Sequence, residues 1–142
     1  MTGWLGVFGV IVGATIALFG QFMSRTVEYK REGRRLFVEN CASLIALEED
    51  FRNRVWEERK LGLSDSVAQW DLSGYRLVAA QVRLTSDDER LLRSLADLRV
   101  AGQELGKSWR MGSLDSDELE VAWKKHKSAL ENFVAAAKRA SQ

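Results

Sequence analysis

Proline is absent from the sequence, and cysteine and histidine occur once each, as Cys41 and His126. Without proline there are few forced stops, and long charged segments rich in Ala, Leu, Glu, Arg and Lys then favour helix throughout. A single cysteine excludes an internal disulfide and fits a reducing compartment. Strand-like alternation, tandem repeats, low-complexity tracts and long linkers are also missing. The net charge is only +1, so no global field draws the chain to nucleic acid, and no nucleic-acid partner is expected. At 142 residues there is room for one compact domain plus one membrane span, and not for two ordinary domains.

Charge is missing from one place in particular. No Asp, Glu, Lys or Arg precedes Arg25, so all 21 Lys and Arg and all 20 Asp and Glu fall within 25–142. Gly3 to Met23 reads GWLGVFGVIVGATIALFGQFM, in which only Thr15 and Gln21 are polar. About 20 residues at roughly 1.5 Å each cover the hydrocarbon core of about 30 Å, and a helix satisfies its own backbone there. Residues 1–24 therefore read as a transmembrane helix. A cleaved signal peptide needs a basic start, a shorter apolar stretch and a small-x-small site. Met1-Thr2-Gly3 is not basic, and the apolar stretch runs into Phe22-Met23-Ser24-Arg25, so the span is expected to be retained.

The flanks set its orientation. Arg25, Lys30, Arg31, Arg34 and Arg35 outnumber Glu28 and Glu32 on the C-terminal side, while the other side carries only its α-amino group. Excess Lys and Arg mark the cytoplasmic side. The expectation is a single-pass protein of the cell membrane, N-terminus outside and residues 25–142 cytoplasmic. Trp4 and Tyr29 bracket the span where interfacial aromatics belong, and the basic cluster suits anionic head groups. Gly6, Gly9, Gly13, Ala17 and Gly20, spaced 3, 4, 4 and 3, share one helix face and include a Gly-x-x-x-Gly pair. Small residues let two helix backbones approach closely in lipid. The bilayer, and a second copy or another membrane protein packed on this glycine face, are the partners so implied.

Beyond the span the periodicity gives helices over about 25–60, 66–84, 87–110 and 116–140. Phe37, Cys41, Leu44, Phe51 and Val55 form the first apolar stripe, with Glu48 at the skipped position. The span and this helix can run on as one. Leu61-Gly62-Leu63 breaks it, and Ser64 or Asp65 is expected to cap the next helix, whose apolar side is Val67, Trp70, Leu77, Val78 and Val82. Ser86 with Glu89 reads as a capping box. The third helix carries Leu91, Leu95, Leu98 and Leu105, with Gly102 in the missing position. The fourth, opened by Asp115, Ser116 and Asp117, carries Leu119, Trp123, His126, Leu130, Phe133 and Ala137. The fold class is all-α: a transmembrane helix continuing into an antiparallel bundle of about four helices.

Chemistry is hard to find. The sequence holds no Gly-rich phosphate loop, HExxH, CxxC or Gly-x-Ser-x-Gly. Cys41 and His126 lie on apolar stripes and read as core residues, with no third group to orient them as a nucleophile and base. No Glu-x-x-His exists for a di-metal bundle, and the clusters at Asp87-Asp88-Glu89 and Asp115 to Glu120 read as helix starts. Glu48 reads as a buried polar contact or an exposed face. No catalytic residue, metal ligand, cofactor or small-molecule substrate is expected. Lys124-Lys125-His126-Lys127 reads as a solvated face. Trp56, Trp70, Trp109 and Trp123 read as core or interface residues, and an exposed one would mark a docking surface.

The order of features carries a resemblance. A Gly-rich span runs into Tyr29-Lys30-Arg31-Glu32-Gly33-Arg34-Arg35, then a helix ends at Val82-Arg83-Leu84. A capped turn, a leucine-striped helix from Leu91 and a close of Phe133-Val134-Ala135-Ala136-Ala137-Lys138-Arg139 follow. This resembles the uncharacterised small single-pass membrane proteins of high-GC Gram-positive (actinobacterial) bacteria. Members often carry a proline before the leucine helix, where this chain has Ser86-Asp87-Asp88. The resemblance implies an anchored helical domain and no catalytic residues. The reading is a non-enzymatic, membrane-anchored helical interaction or scaffold module, or an accessory subunit of a membrane complex. The alternative is a pore-forming or membrane-perturbing small protein, whose lining would offer only Thr15 and Gln21. A weaker one is an enzyme built on Cys41 or His126.

Overall fold

A computed structural model of the chain describes the backbone of residues 2–110 and 116–142, and the side chains of residues 25, 28–110 and 117–142. Among the described residues there are four α-helices, one short 3-10 turn and no strand. They are α1 (Thr2–Lys60), the turn Val67–Gln69, α2 (Leu72–Thr85), α3 (Glu89–Arg110) and α4 (Ser116–Ala140). The all-helical class is therefore observed. The chain divides into two units, residues 1–36 and 37–142. In the first, every side chain described is exposed, and Arg35 pairs with Glu32 at 3.2 Å. Among the described residues no helix is long and apolar enough to cross a membrane. The side chains of the expected span, with its face of Gly6, Gly9, Gly13, Ala17 and Gly20, lie outside those residues, as does Asp115 before α4.

The second unit is an up-and-down bundle whose strand of logic is the leucine spacing. Leu91, Leu95, Leu98, Ala101 and Leu105 recur at threes and fours, so they fall on one face of α3, and all are buried. Phe37, Cys41 and Leu44 of α1 meet Leu91, Leu95 and Leu98, together with Val82 and with Leu130, Phe133 and Ala137 of α4. Phe51 and Val55 form a second cluster with Leu105 and Ala122. The start of α3 thus meets the end of α4, and the end of α3 meets its start: the two helices are antiparallel. Ala101, Gly102, Ala122 and Ala129 keep side chains small between them, which lets these two helices pack closely.

Several element boundaries differ from those the sequence predicts, and for one reason: polar side chains find other partners. Ser66 donates its hydroxyl to Glu57 at 2.7 Å, and Asp65 takes a left-handed φ of 63°, so neither Ser64 nor Asp65 starts a helix. Helix α2 begins only at Leu72, where Asp71 accepts the Gly74 amide at 2.9 Å. With Trp70 outside that helix, its buried side shifts to Tyr75, Val78, Ala79 and Val82, and Leu77 is exposed. The cap of α3 is Asp88, which accepts the Leu91 amide at 3.0 Å. The Ser86 hydroxyl accepts from Asp88 itself, so Ser86 and Glu89 form no capping box.

The last two turns of α1 hold the far end of the bundle. Glu58 accepts from the Trp109 indole at 2.6 Å and from the Val67 amide at 2.9 Å. Arg59 donates to the Trp109 carbonyl, and Arg54 to the Ser66 carbonyl, each at 2.9 Å. These charge-assisted bonds tie the long connection and the end of α3 to α1.

Candidate functional site

Each of the two apolar stripes on α1 and α4 is interrupted once, by Glu48 and by His126. The fold places these interruptions against each other. Glu48 Oε2 lies 2.6 Å from His126 Nε2, with the side chains 2% and 0% exposed. The pair forms a layer between the two apolar clusters: Leu44 and Leu98 lie on one side of it, Phe51 and Leu105 on the other. Gly102 of α3 completes the layer, since a Cβ there would stand 3.8 Å from Glu48 Oε2 and 3.9 Å from His126 Cδ2. Its small size leaves the pair room and is why the leucine stripe of α3 skips that position. Phe51 closes the other side, its ring edge-on to the imidazole with centroids 6.2 Å apart.

Tyr75 of α2 brings a third polar group. Burial above all, then the negative charge and hydrogen bonding of Glu48, push its phenol well above the ordinary range, so it stays protonated and a donor. Trp70 stacks between Phe51 and Tyr75, with centroids 4.7 Å and 5.2 Å away, and its indole donates to the Leu47 carbonyl at 2.8 Å. The four helices thus each contribute to one layer. Glu48 Oε2 accepts a hydrogen bond from His126 Nε2–H in the tautomer assigned from that contact, which leaves Nδ1 as an acceptor. Nδ1 is buried and has no partner among the described residues.

A carboxylate on an imidazole is two-thirds of a nucleophilic triad, but the third member is out of place. Cys41 lies seven residues before Glu48 on α1, about 10 Å along the helix. Burial pushes its thiol up to about 11, which disfavours the thiolate that attacks. A buried polar layer does something else well: it penalises every register in which either partner is left unpaired.

The other singled-out residues distribute as follows. Arg25, Lys30, Arg31, Arg34 and Arg35 are all exposed on α1. His126 leaves the Lys124–Lys127 cluster for the core, while its three lysines stay exposed. Trp70, Trp109 and Trp123 are half-buried, the last with the Arg52 guanidinium 5.2 Å from its ring centroid. Trp56 is 45% exposed. Among the described residues no group of three or more His, Cys, Asp or Glu is placed to hold a metal. Comparison with protein families, curated proteins and solved structures found no match to this chain.

Proposed function

We propose that this protein is a non-enzymatic, membrane-anchored interaction module, a scaffold or accessory subunit that holds its helical bundle at the inner face of the cell membrane. One observation carries the reading. The charge-free segment 3–23 abuts Arg25, Lys30, Arg31, Arg34 and Arg35, and those five side chains stand exposed on α1, as contact with anionic head groups would require. Hydrophobic length supplies the anchor, and the basic excess sets the N-terminus outside.

The bundle suits this role. Its Glu48–His126 pair is sealed from solvent and all four helices contribute to the layer around it, which fits fixing one arrangement of the domain better than turning over a substrate. Association runs through Gly6, Gly9, Gly13, Ala17 and Gly20, with a second copy or with another protein's span. The test replaces Gly9 and Gly13 with leucine and measures association of the full-length chain in bilayers by energy transfer. Loss of association supports the glycine face, and an unchanged oligomer removes it from the account.

A further inference from the structure

We infer that the bundle itself pairs with a second copy of this chain through the groove between α3 and α4, with its twofold axis parallel to those helices. This contact is separate from the glycine face and does not depend on the span. The groove is about 550 Å³ and lies on the outer side of the α3–α4 pair. Val100 and Val121 supply an apolar floor and are 53% and 54% exposed. Their neighbours divide by sign. Asp97 and Glu104 line the α3 side, and Lys124 and Lys125 the α4 side. Among the described residues Asp97, Glu104 and Lys125 have no ion-pair partner, and Lys124 has only Glu120 of its own helix, at 3.5 Å. An apolar seam flanked by charges of both signs is the pattern by which packed helices choose partner and orientation.

The register identifies the partner. Gly102 is level with His126, so in this antiparallel pair Glu104 is level with Lys124. Rotation by half a turn about an axis along the helices lays α3 of a second copy over α4 of the first at the same level. Glu104 then meets Lys124 and Lys125, and symmetry repeats the pairing on the other side. Asp97 falls opposite Ser128 and Asn132, which offer it hydrogen bonds. A twofold axis across the helices would instead set Asp97 against Glu104, like against like. The charges thus fit one of the two face-to-face dimers and oppose the other.

The experiment uses the full-length chain in mild detergent, carrying Gly9→Leu and Gly13→Leu so that association through the span is removed. Light scattering is expected to find a dimer. Glu104→Lys, and separately Lys124→Glu with Lys125→Glu, are expected to raise its dissociation constant on the order of tenfold. Mixing the two variants should restore pairing between them. Copies carrying Glu104→Cys and copies carrying Lys124→Cys, tagged differently and joined by a short bis-maleimide, should yield the mixed product. This last readout decides the matter if a charge variant fails to fold. A monomer, charge variants that pair as strongly as the parent, a mixture that does not re-pair, or absence of the mixed cross-link overturns the proposal.

Discussion

Glu48 and His126 meet at 2.6 Å across the centre of the bundle, although 78 residues separate them in the chain. Breaking such a pair leaves one polar group buried with nothing to answer it. Glu48→Ala or His126→Ala is therefore expected to lower unfolding free energy by about 3–5 kcal/mol. Replacing both with leucine is expected to cost far less than the sum, because the penalty lies in the unpaired partner. Urea titration of the two single variants and the double variant measures this directly. Additive losses would show that the two residues act apart.

Gly74 poses a smaller question with a definite sign. Glycine to alanine inside a helix ordinarily stabilises by about 1 kcal/mol. Here the new Cβ would collide with the Asp71 carboxylate, whose Oδ1 caps the Gly74 amide. The gain from propensity is then offset by loss of the cap, worth about 1 kcal/mol. Gly74→Ala is expected to leave the thermal midpoint within a degree or two, whereas Asp88→Ala, which only removes the cap of α3, lowers it.

Cys41 gives a prediction in pH. Its folded thiol titrates at about 11 against an ordinary value of 9.0, so the folded state holds the proton more tightly than the unfolded chain. The corresponding stability is fully present below pH 9 and is lost as pH rises toward 11. Cys41→Ala should flatten that part of the stability curve. In the native protein at pH 8 a thiol reagent should label Cys41 only at the rate of opening, and in urea at once.

The core of α3 and α4 was legible in advance, because leucines at threes and fours on a proline-free segment admit one face each. Leu98→Ala is accordingly expected to cost 2–5 kcal/mol. The start of α2 was not legible. Ser64, Asp65, Ser66 and Asp71 are all able caps, and the choice among them depends on Glu57 and Glu58, which reach the connection from α1. Leu77 reads as core for the same reason, since its phase follows from a helix start placed too early. The Glu48–His126 layer was half visible. Each residue interrupts an apolar stripe, as does Gly102, but spacing along one helix carries no information on which interruptions face one another.

The central claim is that the charge-free segment before Arg25 anchors the helical bundle to a membrane. Alkaline carbonate extraction of membranes from cells making the full-length chain, beside cells making residues 25–142, tests it most directly. The account predicts that the full-length chain stays with the extracted membranes and that the shortened chain is released with the soluble fraction. Release of the full-length chain by carbonate would contradict it.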